Sequence, residues 1–282
     1  MRVLLVPNTA NPRAVSAVQE LSVWCAGRGI EFILETDDAR EVGMVDRGVT
    51  ASEIGDIALA VALGGDGTIL KAVHLLGDVE VPLLGVKYGR LGFLSGSRPE
   101  TMREAIESAL SGEARIERRA TLTAKVVMDG RTVGRYRALN EVVLSRGASG
   151  RVVVLDVSID GVHLERLRAD GLIVATATGS TAYALSAGGP VISPSFAGMA
   201  VVPIAPHTLQ ARALLTDPSE AVEITLPEPA RSDACIVVDG DAKPCRQAIE
   251  SVTVSRSDHD VLLVKHDGYA FYHTVSTEFF GG

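Results

Sequence analysis

The run Ile57-Ala58-Leu59-Ala60-Val61-Ala62-Leu63, followed at once by Gly64-Gly65-Asp66-Gly67-Thr68, decides how this chain reads. A short apolar run entering a glycine cluster, with Ile69, Leu70, Val73 and Leu76 at helical spacing behind it, predicts a buried strand, a tight turn and a helix start. Such a junction suits phosphate. Glycine lets the backbone approach a ligand closely, and the first N–H groups of a helix attract anions. Asp66 adds a carboxylate at the strand end, able to accept a hydroxyl proton or hold a metal ion. An isolated Asp-Gly pair is more often a structural turn, but four of the five residues from 64 to 68 are glycine or a small hydroxyl, which favours a ligand site.

On either side the segments alternate. Val3 to Val6, Glu31 to Glu35 and Val81 to Val86 read as strands, while Arg13 to Arg28 and Pro99 to Leu110 read as helices. This βαβ rhythm predicts a Rossmann-like parallel sheet with ligands at the carboxyl ends of its strands, where Asp66 falls. From about Arg118 the texture turns to β alternation: Thr121 to Val127, Val152 to Ile159, Leu172 to Ala175, Val222 to Leu226, Cys235 to Val238 and Val261 to Val264. Asp-Gly pairs at 129–130, 160–161, 239–240 and 267–268 are hairpin signals. The expectation is an α/β domain over 1–115, a β-rich, sandwich-like domain over 116–265, and a tail, 266–282, that folds back on the first domain. The boundary is placed near Ser111-Gly112-Glu113.

With 282 residues, 46% of them hydrophobic, the chain can bury a sizeable core. No apolar run approaches the roughly 20 residues of a bilayer span, and the opening strand is too short for a signal-peptide core, so a cytoplasmic, membrane-free protein is expected. The formal charge of −8 speaks against nucleic-acid binding. An anionic ligand then needs local cations, for which Lys71, Lys87 and Arg90 stand near the glycine loop, although each taken alone reads as a surface charge. Three cysteines without a CxxC pair argue against a disulfide framework or a zinc site, and the scattered histidines, His259, His266 and His273 included, predict no metal-binding face.

A second constellation lies in the β-rich half. Asp170 and the apolar run Leu172-Ile173-Val174-Ala175 lead into Thr176-Ala177-Thr178-Gly179-Ser180-Thr181-Ala182-Tyr183, then Ser186-Ala187-Gly188-Gly189-Pro190. Many small donors and little bulk suit a hydroxyl-rich ligand such as a nucleotide, whereas a helix cap and turn would use fewer of them.

GGDGT at 64–68, Asn140-Glu141 heading a strand, and TGSTAY with SAGGP at 178–190 together resemble the NAD kinase family, in order and in approximate spacing, from Val3 through Asp239-Gly240. The resemblance implies transfer of a phosphoryl group from ATP or polyphosphate to the 2′-hydroxyl of the adenosine ribose of NAD, giving NADP. It implies that Asp66 orients or deprotonates that hydroxyl, and that Gly64, Gly65, Gly67, Thr68 and Lys71 cradle donor phosphates. It sets Asp66, Gly67, Asn140, Glu141, Thr178, Ser180, Thr181, Ala182, Tyr183 and Ser186 against NAD, with Asp170 near the nicotinamide carboxamide and Phe93 packing on the adenine. Mg²⁺ or another divalent cation would be held mainly by substrate phosphates, with no dedicated ligand cage, and a homodimer or homotetramer is implied. His207 falls in a segment similar to a family loop, as a supporting contact.

The chain departs from the family pattern at three places. Ala177 stands where proline is common, Lys87 where asparagine is common, and Asp241 where glutamine is common. Two other readings compete. A lipid kinase usually continues GGDGT straight into Asn-Glu, which here lies far downstream, and it would carry a membrane-facing apolar or basic run. A non-catalytic dinucleotide sensor would gain little from Asp66 beside phosphates. A dehydrogenase is disfavoured, since no GxGxxG follows a strand.

Overall fold

A computed structural model describes residues 1–89, 92–245, 247–266 and 271–281. Along the chain these form β1 (Arg2–Pro7), α1 (Pro12–Ala26), β2 (Glu31–Glu35), α2 (Thr36–Glu41), β3 (Gly48–Val49), β4 (Leu59–Leu63), α3 (Asp66–Leu76), β5 (Pro82–Val86) and α4 (Met102–Leu110). Then come β6 (Arg115–Arg119), β7 (Leu122–Met128), β8 (Arg131–Ala138), β9 (Glu141–Arg146), β10 (Val153–Ile159), β11 (Val162–Ala169) and β12 (Gly171–Ala175). The remainder is α5 (Tyr183–Ser186), β13 (Ala200–Ile204), β14 (Leu214–Leu215), β15 (Ala221–Thr225), β16 (Ala234–Val238), β17 (Asp241–Lys243), β18 (Ile249–Arg256), β19 (Val261–Lys265) and α6 (Phe271–Phe279). Two compact units result, one of Met1–Arg118 with Val261–Gly282, the other Arg119–Asp260.

The first unit is α/β. Its sheet runs β3-β2-β1-β4-β5-β19-β6, and β1 pairs in parallel with both β2 and β4, as β4 does with β5. β4 is buried along its whole length because helices cover both faces of a parallel sheet, which is why its sequence is continuously apolar. The chain moves outward from β1 to β2 and β3, then returns to the other side of β1 as β4. The carboxyl ends of β1 and β4 therefore flank the topological switch point, where open α/β sheets bind ligands.

The second unit is two antiparallel six-stranded sheets, β11-β10-β15-β18-β7-β8 and β14-β13-β12-β9-β16-β17. Alternate residues of both, Leu122, Val126, Leu144, Leu172, Val252 and Ile236 among them, share one core, so the unit is a sandwich. The Asp-Gly pairs at 129, 160 and 239 close hairpins with the aspartate at φ near +50° (50°, 48° and 49°), as two-residue turns with positive φ require.

Three expectations change. Val261 to Val264, assigned to the β-rich half, form β19 and pair in parallel with β5 in the first unit. The helix expected from Pro99 begins at Met102, after Thr101. A short helix, α2, was not anticipated, because its polar six residues carry no apolar stripe. Arg90, Leu91, the Asp267-Gly268 pair, Tyr269 and Gly282 lie outside the described residues. α6 lies in the first unit, where Phe93 meets Phe279 and Phe271 with ring centroids 5.7 Å apart in each case.

Candidate functional site

The strand-turn-helix read from Gly64 to Thr68 is present, with Gly65 at the N-cap and Asp66 as the first residue of α3. The turn is held from outside: the Gly64 N–H donates to the Val86 carbonyl, and the Asn8 N–H to that of Leu63. A cavity of about 360 Å³ opens there, lined by Gly65, Gly67, Thr68 and Lys71 together with Pro7, Asn8 and Thr9 at the end of β1. It sits at the switch point, with the α3 N-terminus supplying backbone donors. Lys71 reaches its mouth from α3 and is anchored by Asp38, with Nζ 2.5 Å from Oδ1. Asp38 is almost wholly buried, and burial pushes its carboxyl above the usual range while Lys71 draws it back.

Asp66 is partly accessible. Its Oδ1 is buried without a hydrogen-bond partner, and the Lys87 ammonium stands 3.9 Å from that oxygen. Gly92 covers the pair so closely that a Cβ there would lie 2.5 Å from Asp66 Oδ1 and 2.5 Å from Lys87 Nζ. Asp66 thus stands between Gly65 and Gly67, which line the switch-point cavity, with a cation beside it.

In the second unit β9 begins at Glu141, and the Asp239 carboxylate fixes that start by accepting the N–H groups of Leu139, Asn140 and Glu141 at 2.8, 2.7 and 3.1 Å. Glu141 is buried, and its carboxyl is pushed up to about 7, first by burial and then by the charge of Asp239, against a hydrogen bond from the Tyr183 backbone. Its Oε2 has no hydrogen-bond partner. A buried, half-satisfied carboxyl of this kind marks a candidate ligand site.

The small-residue cluster divides. Thr178 and Ser180 are buried and their hydroxyls are used within the fold: Arg119 donates to Thr178 Oγ1 at 3.1 Å, while Ser180 Oγ donates to the Ala177 carbonyl and accepts the Ile192 N–H. Thr176 Oγ1 donates to the Leu139 carbonyl and accepts the Gly179 N–H, tying the cluster to the start of β9. Gly179 lies against Asn140 so tightly that a Cβ would stand 2.5 Å from its carbonyl carbon. Thr181, Ala182, Tyr183 and Ser186 reach the surface instead, with Tyr183 45% exposed. Asp170 is ion-paired to Arg146, Nη2 to Oδ2 at 3.2 Å. The Phe93 ring already packs in the aromatic cluster with α6.

Sequence reasoning missed Asp38, Asp239 and Asn8-Thr9 as parts of these sites. Asn8-Thr9 was accessible by the same logic as Gly64-Gly65, since both follow apolar strands. Among the described residues no group of three or more His, Cys, Asp or Glu side chains is placed to hold a metal ion.

The model of the ATP-NAD kinase N-terminal domain matches residues 3–114, and that of the ATP-NAD kinase C-terminal domain matches 139–266. The NAD kinase of Polaromonas naphthalenivorans is 39% identical over 262 residues, covering 92% of this chain and 89% of that protein. That of Geobacter sulfurreducens is 33% identical over 278 residues, covering 98% and 97%. The crystal structure of yeast NADH kinase complexed with NADH superposes with TM-score 0.89 at 27% identity, covering all of this chain and 87% of the other. An Archaeoglobus fulgidus NAD kinase in complex with ATP gives TM-score 0.76 at 25% identity, covering all of this chain and 98% of the other.

Proposed function

The chain belongs to the NAD kinase family, enzymes that phosphorylate NAD to NADP with ATP, and on that premise we propose that Asp66 is the carboxylate that engages the ribose 2′-hydroxyl. The observation that carries this reading is the position of Asp66: first residue of α3, beside the switch-point cavity, with a buried oxygen that has no hydrogen-bond partner. The 2′-oxygen attacks the terminal phosphorus of ATP, the O–P bond forms, the bridging P–O bond breaks with ADP leaving, and the hydroxyl proton passes to Asp66. Phosphoryl transfer asks for positioning and charge neutralisation more than covalent chemistry. Gly64, Gly65, Gly67, Thr68 and Lys71 receive the donor phosphates.

In the second unit Asn140 and Glu141 hydrogen-bond NAD, the amide suiting a base edge and the carboxylate suiting ribose hydroxyls. Thr181, Ala182, Tyr183 and Ser186 offer accessible surface to the dinucleotide, Thr178 and Ser180 hold the shape of their turn, and Asp170 hydrogen-bonds the nicotinamide carboxamide. Phe93, half-buried beside Phe271 and Phe279, packs on adenine.

A divalent cation, which we take as Mg²⁺, fits this donor set: Asp66 Oδ1 is one available carboxylate oxygen, and substrate phosphates provide the rest. When bound it neutralises phosphate charge. Polyphosphate is a second donor in this reading. No helix among the described residues is long and apolar enough to cross a membrane, and a cytoplasmic location belongs to the same proposal. The exposed apolar residues Leu214 and Leu215, which form the edge strand β14, and Leu209 ahead of it support a homodimer or homotetramer; light scattering that finds only monomer contradicts this.

The function is tested by incubating purified protein with NAD, Mg²⁺ and ATP, with NADH and polyphosphate arms in parallel, and reading NADP by an NADP-specific dehydrogenase. NADP formation is expected. NAD binding without NADP from any donor would point instead to a dinucleotide sensor.

A further inference from the structure

Lys87 follows β5, and its backbone N–H donates to the Ser97 carbonyl at 3.2 Å, so its main chain is tied down. Three segments meet at its side chain: the start of α3 brings Asp66, the end of β5 brings Lys87, and the loop returning along β5 lays the bare Gly92 backbone over both. The 3.9 Å between Nζ and Asp66 Oδ1 is too long for a hydrogen bond. The separation leaves both charged groups able to engage an oxygen of a third, bound molecule.

We propose that Lys87 binds the phosphoryl group being transferred, its ammonium holding an oxygen of the donor's terminal phosphate beside the hydroxyl that Asp66 engages. The inference rests on the reading of Asp66 given above. A hydroxyl bonded to Asp66 attacks a phosphorus about 3–3.5 Å away, which brings phosphoryl oxygens within about 6 Å of the carboxylate. Lys87 Nζ lies inside that sphere. Its side chain is 25% exposed, so its charge is screened less than that of a lysine on open surface. A fixed ammonium is a point charge of the kind phosphate loops employ.

Lys87 also lines a second cavity in the same unit, of about 810 Å³, whose walls include Arg13 and Arg98 along with Glu20 and Glu100. With Arg13 and Arg98 offset by Glu20 and Glu100, the Lys87 ammonium leaves that lining with a net positive charge on the side that faces Asp66. In the step itself Lys87 exchanges no proton. The O–P bond forms and the bridging P–O bond breaks as described, and the ammonium offsets charge on the phosphoryl oxygens.

The test compares wild type, Lys87→Asn and Lys87→Arg. Tripolyphosphate binding is measured calorimetrically in metal-free buffer, alongside steady-state constants for ATP and NAD. Lys87→Asn is expected to weaken tripolyphosphate binding at least tenfold and to lower kcat/KM for ATP at least tenfold, with KM for NAD within twofold, and Lys87→Arg to recover most of the binding. Unchanged tripolyphosphate affinity, or an equal loss of affinity for NAD, overturns the inference. On the unaltered protein, tripolyphosphate is expected to protect Lys87 from reductive methylation, and absence of protection overturns it independently of any variant's folding. Wild type that binds tripolyphosphate through Lys87 yet makes no NADP sinks the kinase reading alone; wild type that makes NADP while Lys87→Asn behaves identically sinks the Lys87 inference alone.

Discussion

The Asp239 carboxylate accepts the backbone N–H of Asn140 at 2.7 Å, so the turn joining β16 to β17 fixes the chain where β9 begins. With Leu139 and Glu141 also donating to it, one side chain satisfies three backbone groups at the edge of a candidate ligand site. Asp239→Ala removes all three bonds and is expected to cost about 2–4 kcal/mol, hydrogen bonds to charged groups being the stronger kind. Asp239→Asn, which keeps an acceptor and tolerates positive φ, is expected to cost roughly half as much. Urea unfolding checks both.

Glu141 ties stability to pH. Its carboxyl rises from 4.5 to about 7 on folding, so between these values the folded chain binds more protons than the unfolded one, and stability falls as pH rises through that window. The full effect is on the order of 3 kcal/mol. Glu141→Gln is expected to flatten the profile, gaining on wild type at pH 8 and matching it near pH 4, while weakening NAD binding. Thermal melts across pH 4–8 read the first effect and calorimetry the second.

Gly92→Ala places a Cβ against Asp66 and Lys87. A displacement of about 1 Å at a reacting group costs about 100-fold in rate, so turnover is expected to fall by about that factor with the thermal midpoint little changed. Full activity in Gly92→Ala would show that these two side chains need not hold their places.

Removing Lys71 leaves Asp38 buried and uncompensated. Lys71→Ala is expected to cost about 3 kcal/mol at pH 8 and less at pH 5. Burial already raises the Asp38 carboxyl, and without Lys71 it rises further, so the folded chain takes up a proton that the unfolded chain releases, and the loss grows as pH climbs. Unfolding at the two pH values checks the direction.

What was legible in the sequence was local. The strand-turn-helix at Asp66 and the Asp-Gly hairpins at 129, 160 and 239 depend on neighbours within a few residues, and they stand where expected. Val261 to Lys265 was misassigned because Val-Leu-Leu-Val is equally apolar in a sandwich and in a covered parallel sheet, and its partner, β5, lies far away in sequence. Asp38 and Asp239 were missed for the same reason, as their roles arise from contacts 33 and 99 residues away. Thr178 and Ser180 show a different limit: a hydroxyl-rich run looks the same whether its donors face a ligand or satisfy a buried turn.

The most direct measurement is turnover and NAD affinity of Asp66→Asn against wild type, with calorimetry for binding and NADP formation for rate. If Asp66 engages the attacking hydroxyl, kcat is expected to fall by about 10²–10⁴-fold while the NAD dissociation constant stays within a few fold and the melting transition is retained. Asp66→Asn turning over at the wild-type rate would contradict the role assigned to this carboxylate.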